Sequence, residues 1–425
     1  MIYSNDLHWA PSDSAKWEMR VFDRTNWFYS VLLGIYLFTV PSLAYMSSTA
    51  SISKYIGYAV TILVVLKIFM RGFVLSTEIF FFAGWLLWSL TGVFVYIAPT
   101  LFWMIMFRMV QLFVLYIVIL RVADSFSNIK IISTLLFLGF IEAIIYSFVL
   151  SDYSLGMETG ERVTGATENS NNLALLIHHM LFVQLAFFEL SKKKWVKISM
   201  LLLLPLQAKL IIASGSKKGL IFFIFILALW LWFFHKGDII KRPLLFISIA
   251  IGSAFFAVWF VSSLENTTLL KRLEGLQTTV SEGGGGADDA RILLAKDAWR
   301  VFCENPVIGV GVANYAPQGI FGVYAHNSYL ELLSNGGLIG FVLMMGVFVN
   351  LAVRGFKGRK SSNHTISSVS KLVLIFIYYV ALVSNVAPLY FSHYHWIIIG
   401  LMTSFYIVFR RYQLSDSNQS GRYIY

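Results

Sequence analysis

The sequence predicts an all-α, polytopic membrane protein with about twelve transmembrane helices. Of its 425 residues, 58% are hydrophobic and only 13% are charged, whereas an ordinary soluble domain carries about 25% charged residues. A water-soluble protein of this size has too much surface to cover with so few charges. The composition therefore excludes a soluble globular enzyme and an intrinsically disordered chain.

Twelve long apolar runs supply the predicted spans, since a helix of about 20 residues crosses the hydrocarbon core. The first run begins near Trp27 and is followed by more spans rather than by a small-residue cleavage site, so we expect a retained helix. The runs lie at 27–46, 53–70, 78–98, 100–120, 129–150, 172–190, 198–213, 219–234, 243–263, 336–353, 372–391 and 394–409.

The distribution of Lys and Arg predicts the orientation of these spans. If the N-terminus is cytoplasmic and the spans alternate, about two thirds of the 33 basic residues fall in cytoplasmic segments. This bias predicts that both termini are cytoplasmic. It also accounts for the formal net charge of +11, so we expect membrane lipids and not nucleic acid around these cations.

The layout divides the chain into three parts. Residues 1–263 hold the first nine spans, residues 264–328 form a large, partly helical external loop between spans nine and ten, and residues 329–425 hold the last three spans and a cytoplasmic tail. A shorter external loop covers about 151–171. We therefore expect any reaction to take place at the outer membrane–water interface. The single cysteine, Cys303, excludes an intramolecular disulfide framework and a Cys-based metal site.

The large loop contains a predicted helix. Four consecutive glycines, 283–286, form a flexible hinge before it. Asp289 is its expected N-cap, and Pro306 ends it. Apolar residues at helical spacing give it a face that can lie on the membrane or on the spans. This face consists of Ile292, Ala295, Trp299 and Phe302.

Arg291 is a candidate for a functional cation. It lies in the first turn of this predicted helix, where the helix dipole disfavours positive charge. The structural alternative is an ion pair with Asp288. Asp288 and Asp289 are also a pair of outer carboxylates of the kind that a metal requires, but a capping role already accounts for Asp289.

Gly309 and Gly311 follow Pro306 in a short loop and allow close approach of the backbone. An ordinary turn is the alternative. The pattern is not a dinucleotide fingerprint, because no strand precedes it and no βαβ unit follows.

His326 is the candidate base. Ser328 and Glu331 form a capping box, which predicts a helix from about Tyr329. The positive end of that helix would lower the pKa of His326 and keep its ring neutral near pH 7. A neutral imidazole at an aqueous interface accepts a proton. The alternative is a polar loop residue that caps a backbone group.

Several polar residues lie inside or beside the predicted spans. Arg108 and Glu142 lie at equal depth in neighbouring antiparallel spans, so we expect an intramembrane ion pair. Two pairs of histidines either line a cavity or have ordinary polar roles. These pairs are His178 with His179, and His393 with His395.

Motifs in the external loops combine into a recognisable set. They are His326-Asn327 followed by Gly337-Leu338-Ile339-Gly340, the stretch from Arg291 through 304–315, and Arg162-Val163-Thr164-Gly165 with Asn169-Ser170-Asn171-Asn172. This set resembles the signature of the O-antigen ligase and O-antigen polymerase superfamily, and the match is densest over 210–345. One difference is Ser216-Lys217-Lys218-Gly219, where the family often has Ser-Arg-Gly. Lysine keeps the charge but lacks the bidentate fork.

The resemblance implies transfer of a glycan from undecaprenyl diphosphate to an acceptor hydroxyl at the periplasmic face of the bacterial inner membrane. It implies that Arg162 and Arg291 stabilise the charge that grows on the diphosphate leaving group. His326 would remove the acceptor proton, and direct attack would invert the anomeric centre. No metal or other cofactor is expected. The residues expected to bind the substrates are Lys217, Lys218, Arg272, Asn327, Asn172 and Tyr315.

The leading interpretation is a ligase that transfers an O-antigen-like glycan to lipid A-core. The nearest alternative is a polymerase, whose acceptor is a second lipid-linked glycan. The spacing from His326 to Gly340 and the short external loops elsewhere favour the ligase. A protein O-oligosaccharyltransferase and a lipid-oligosaccharide transporter rank lower. A transporter would distribute its charges through the bundle, whereas here the distinctive residues cluster in the outer loops.

Overall fold

The computed structural model describes residues 24–41, 50–71, 74–95, 97–149, 162–167, 169–236, 287–387 and 389–420. This part of the chain is helical and contains no strand. Its helices are α1 Arg24–Thr39, α2 Ala50–Arg71, α3 Thr77–Leu90, α4 Pro99–Val122, α5 Phe126–Val149, α6 Ser170–Leu190, α7 Lys194–Ala213, α8 Lys217–Trp230, α9 Ala287–Glu304, α10 Tyr315–Gln318, α11 Ser328–Gly358, α12 His364–Val383 and α13 His393–Ser420.

The helices confirm a polytopic, all-α membrane protein. In the described part of the chain, 8 helices are long and apolar enough to cross a bilayer. Every predicted run except the ninth overlaps a helix. The ninth run, 243–263, lies outside the described residues, as does the part of the large loop before Ala287. The count of twelve spans and the placement of that loop therefore stay predictions.

The spanning helices share one large core, and α9 packs with the loops around Tyr315 in a second, smaller cluster. α1 packs on α5, α3 and α12 pack on α11, and α4 packs on α13. Large aromatic residues fill the centre, where Phe82 of α3 stacks on Trp396 of α13 with ring centroids 3.9 Å apart. Trp85 and Tyr379 are also fully buried. This packing holds the helix ends that carry the predicted site.

Helix α11 is broken near its start. Gly337 has φ 61° and ψ −166°, outside the helical region. The loop after α9 supplies hydrogen bonds on both sides of the break: Leu338 N donates to Pro306 O at 2.8 Å, and Gly311 N donates to Asn335 O at 2.8 Å. Backbone groups freed by the break are thus paired inside the protein, as the low-dielectric surroundings require.

The two loop glycines are explained by this contact. Gly309 and Gly311 have φ of 70° and 92°, a region that side chains disfavour. A Cβ on Gly309 would collide with the backbone nitrogen of Gly337. The expected close backbone approach is present, and its partner is α11 itself.

Three local expectations are wrong. Arg108 is exposed and makes no ion pair with Glu142 among the described residues, and one carboxylate oxygen of Glu142 has no hydrogen-bond partner there. α9 already includes Ala287, so Asp289 lies inside the helix rather than at its N-cap. The eleventh span ends at Val383, before a turn over 384–387. Pro388 has no N–H to donate to the carbonyl of residue 384 and disfavours helical backbone at residue 387, so the helix does not continue through the turn.

Candidate active site

The starts of α6, α8 and α11 lie together at one end of the bundle. Asn169, Ser216 and Asn327 are their N-caps, and each side chain accepts hydrogen bonds from backbone N–H groups of the first turn. A contact of 3.3 Å between the Ser216 hydroxyl and the Asn171 carboxamide oxygen joins α6 to α8. The 384–387 turn joins α8 to α11. Helix N-termini present unpaired N–H groups and favour anions.

Arg162 is fixed beside the start of α8. Its Nε donates to the Ser214 carbonyl at 3.0 Å, and its Nη2 donates to the Asn171 carboxamide oxygen at 3.0 Å. That oxygen is the one that also accepts from Ser216. The guanidinium is partly exposed. Arg162 thus adds a positive charge next to the first turn of α8.

Lys217 and Lys218 are the first two residues of α8 and are half-buried. Cations at a helix start oppose the helix dipole, so this position is unfavourable without a partner. Lys218 Nζ donates to the Val386 carbonyl at 3.1 Å, which directs it towards the turn after α12. An anion bound at this end would offset the repulsion.

His326 has an unusual backbone and a half-buried ring. Its φ is 54°, in the left-handed region that few non-glycine residues occupy. Tyr324 lies against the ring with centroids 4.1 Å apart. Burial lowers the pKa of His326, and the positive charges of Arg291 and Lys218 lower it further. The predicted direction of the pKa shift is confirmed, but its causes are burial and two cations.

The loop of His326 is anchored on the 384–387 turn. Ser328 N donates to Ser384 O at 2.7 Å, and the Ser328 hydroxyl donates to Ala387 O at 2.6 Å. The hydroxyl of Tyr329 donates to Ala381 O at 2.7 Å. Three hydrogen bonds immediately after His326 therefore fix its position against the end of α12.

Asn327, rather than Ser328, caps α11. Its carboxamide oxygen accepts from Tyr329 N at 3.0 Å and from Leu330 N at 3.1 Å. The expectation of a Ser328 cap was wrong because that hydroxyl is already used by Ala387. Since Asn327 satisfies the helix start, the alternative role of His326 as a backbone cap has no support.

Arg291 lies exposed on α9 and within electrostatic range of the His326 ring. Because α9 includes Ala287, Arg291 lies beyond its first residues rather than at the first turn. Ile292 and Trp299 of the predicted apolar face are exposed, so the face does not pack on the spans at these residues, and its contact with the membrane stays a prediction. The residues of α9 that pack inward are Leu294, Asp297, Ala298 and Val301.

The remaining predicted residues divide into three cases. Tyr315 is only 1% exposed, and its hydroxyl donates to Leu294 O at 3.2 Å, so its position does not support substrate contact. Asn172 is half-buried in the first turn of α6, next to Asn171. Arg272 lies outside the described residues.

Among the residues that are described, no group of three or more His, Cys, Asp or Glu side chains is arranged to hold a metal ion.

Two features of the site escaped the sequence analysis. Asn171 belongs to the 169–172 motif, but its bridge between Arg162 and Ser216 was not predicted, although the polar run at the start of α6 could have indicated it. The 384–387 turn contacts the site through backbone carbonyls, which carry no sequence signal.

Comparisons with known proteins agree with the motifs. Residues 200–345 match the family model described as O-Antigen ligase. The teichuronic acid biosynthesis protein TuaE of Bacillus subtilis (strain 168) is 26% identical over 255 residues, which cover 57% of this chain and 51% of the relative. The match thus spans about half the length of that relative. The two findings confirm the resemblance to the O-antigen ligase and polymerase superfamily. This resemblance and the apolar helices together support a multi-pass membrane protein of glycosyltransferase type.

Proposed function

We propose that this chain transfers a glycan from undecaprenyl diphosphate to an acceptor hydroxyl, and that the acceptor belongs to lipid A-core. One observation carries the proposal: the 384–387 turn accepts hydrogen bonds both from Lys218 and from Ser328, two residues after His326. Arg291 of α9 also lies within electrostatic range of the His326 ring. A candidate base and two candidate diphosphate ligands, chosen from the sequence, thus lie at one end of the bundle. We place this end at the periplasmic face of the bacterial inner membrane, with both termini cytoplasmic, as the distribution of basic residues predicts.

The leaving group determines which charges the site needs. The acceptor oxygen attacks the anomeric carbon while the bond from that carbon to the diphosphate oxygen breaks. The bonding electron pair moves to the diphosphate, and direct attack inverts the anomeric centre. Cations placed where this charge develops stabilise the transition state. The cations assigned to this role are Arg162, Arg291, Lys217 and Lys218.

His326 removes the proton of the acceptor hydroxyl in this mechanism. Burial and the neighbouring cations favour its neutral form, which is the form that accepts a proton. The same cations would oppose the imidazolium that results. Negative charge on the departing diphosphate offsets them, so the ring becomes a stronger base as the glycosidic bond breaks.

The polymerase is the second candidate. In that reaction the acceptor hydroxyl belongs to another lipid-linked glycan, and the roles of His326 and the cations are unchanged. The similarity to a protein of teichuronic acid biosynthesis favours this candidate, because the name of that relative gives the biosynthesis of teichuronic acid and mentions no lipid A-core acceptor.

A reconstituted transfer assay distinguishes the candidates. Purified protein receives an undecaprenyl diphosphate-linked glycan in EDTA, with lipid A-core in one sample and without it in the other. Product that requires lipid A-core supports the ligase, whereas a ladder of longer lipid-linked glycans without it supports the polymerase. Absence of product in both samples, with activity restored by a divalent cation, would contradict the mechanism based on His326 and the cations.

A further inference from the structure

His178 is buried in α6 and contacts the first turn of α8. Its Nε2 lies 2.8 Å from the carbonyl oxygen of Gly219, the residue directly after Lys218. Its Nδ1 lies 3.2 Å from the hydroxyl of Tyr379 on α12. The side chain is 1% exposed. His178 therefore joins three helices immediately below the cationic start of α8.

The partners of His178 determine its tautomer. A carbonyl oxygen only accepts hydrogen bonds, so Nε2 of His178 carries the proton and donates to Gly219. Nδ1 then accepts from the hydroxyl of Tyr379. Both ring nitrogens are thus used, and a neutral ring satisfies both contacts.

The contact holds α8 close against α6. A Cβ on Gly219 would lie 2.6 Å from the Cβ of Ala174, too near for any residue larger than glycine. At Gly219, the hydrogen bond from His178 attracts α8 to α6, and the lack of a side chain lets the two helices approach closely. Together they set the position of the α8 start relative to α6.

The 384–387 turn connects this point to His326. Val386 accepts from Lys218, while Ser384 and Ala387 accept from Ser328, two residues after His326. α12 leads directly into this turn and carries Tyr379, the partner of His178. The 384–387 turn therefore holds both Lys218 and the segment that carries His326.

We propose that His178 is a positioning residue that holds Lys218 beside His326 and the diphosphate of the donor. It touches neither the substrate nor the reacting atoms and acts through Gly219 and α8. This role rests on the proposed function, but the placement of Lys218 can be measured without substrate.

The charged groups that face the His326 ring are Lys218 from α8 and Arg291 from α9. Within its own segment Tyr324 lies against the ring at an interplanar angle of 44°, and the buried carboxyl of Glu331 lies near Tyr324.

The test follows the protonation of His326. Diethyl pyrocarbonate acylates neutral imidazole, so the pH dependence of its reaction at His326, read by peptide mass spectrometry, reports the pKa of this residue. The protein is the full chain in nanodiscs. We expect His178→Leu to raise the pKa of His326, because Lys218 moves away and its repulsion is lost. Lys218→Met should raise it likewise, and the double variant should add no further shift.

Two variants control for misfolding. His178→Gln keeps an N–H donor at a similar reach and should restore the wild-type pKa of His326. His179→Leu removes an adjacent buried histidine whose ring contacts Leu175 of its own helix and His395, and the pKa should stay unchanged. If His178→Leu leaves the pKa of His326 at the wild-type value while Lys218→Met raises it, the positioning role is wrong. The role is also wrong if Lys218→Met has no effect, or if the two shifts add.

Transfer activity gives the second readout. We expect His178→Leu to lower kcat about tenfold or more, since small displacements of charged groups in an active site have effects of this size, and His178→Gln to recover most of it. If wild-type protein transfers no glycan while the pKa pattern holds, the proposed function fails and the placement of Lys218 by His178 stands.

Discussion

At the scale of single residues, His326 combines three features that rarely coincide. Its backbone is left-handed, its ring is half-buried, and two cations from other helices act on it. No hydrogen bond to its ring nitrogens occurs among the described residues. Strain of this kind persists only where the surroundings impose it, and here Asn327 and Ser328 fix the chain directly after it.

In the proposed mechanism, the pH dependence of transfer follows from the pKa of His326. The base must be neutral, so the rate falls as the pH drops through this pKa. Because the pKa lies below the ordinary 6.5, we expect kcat/KM to exceed half of its maximum at pH 6.5. A pH–rate profile from pH 4.5 to 8.5 checks this, with His326→Gln as the control for other titrating groups. An acid limb centred above pH 6.5 would contradict the assignment.

In the proposed mechanism, Arg291 acts on both the donor and His326. We expect Arg291→Met to lower kcat/KM about a hundredfold to a thousandfold, since loss of one charge-stabilising donor has an effect of this size. The acid limb should also move to higher pH, because one of the two cations near His326 is gone. Lys296→Met is the matched control, as Lys296 is an exposed cation on the same helix. Equal effects of the two substitutions would show that only net charge matters.

At the scale of elements, the break in α11 and the loop after α9 form one unit. Gly337 leaves the helical conformation where the loop backbone approaches. Trp88 strengthens the unit by donating its indole N–H to Gly336 O at 2.9 Å. The unit holds the first turn of α11, with His326 just before it, against the spanning bundle.

Two adjacent glycines test this unit. In Gly337→Ala a Cβ would collide with the Val307 carbonyl at a left-handed φ, so we expect destabilisation of about 1–3 kcal/mol. In Gly336→Ala the new Cβ meets no atom within 4 Å, and we expect little change. Thermal unfolding in detergent measures both. A midpoint for Gly337→Ala equal to that of Gly336→Ala would contradict the role of the break.

The sequence predicted these elements unevenly. Long apolar runs predicted the spanning helices because the bilayer imposes both length and composition. Charged and polar motifs supplied the candidate site residues, of which Lys217, Lys218 and His326 lie at the starts of α8 and α11. The side of α9 that packs on the protein was not predicted, because both sides of this helix carry apolar residues and periodicity does not tell which side packs inward and which side faces outward. The 384–387 turn was missed because it contributes only backbone carbonyl groups, which carry no sequence signal. The Arg108–Glu142 ion pair did not form, which shows that equal depth in two neighbouring spans does not ensure contact.

At the scale of the whole molecule, the predicted topology places α9 and the end of α8 on opposite sides of the membrane. This requires one crossing between Lys236 and Ala287, within the part of the chain that the structure does not describe. The single cysteine, Cys303, is exposed just after the inward-packing part of α9 and provides a natural probe.

Labelling with a membrane-impermeant maleimide in spheroplasts tests the crossing. We expect Cys303 to react in intact spheroplasts. On a Cys303→Ser background, Lys236→Cys should react only after the membrane is permeabilised. Reaction of both positions in intact spheroplasts would remove the ninth span and with it the orientation derived from the basic residues.

The central claim is that His326 is the base of a glycan transfer assisted by cations from α8 and α9. The most direct test is the single-turnover rate of transfer by purified protein in nanodiscs, with the donor bound before the acceptor is added. We predict that His326→Ala lowers this rate about 10²- to 10⁴-fold, the usual contribution of a general base, and leaves donor binding within twofold of wild type. A rate for His326→Ala close to that of the wild-type protein would contradict the claim.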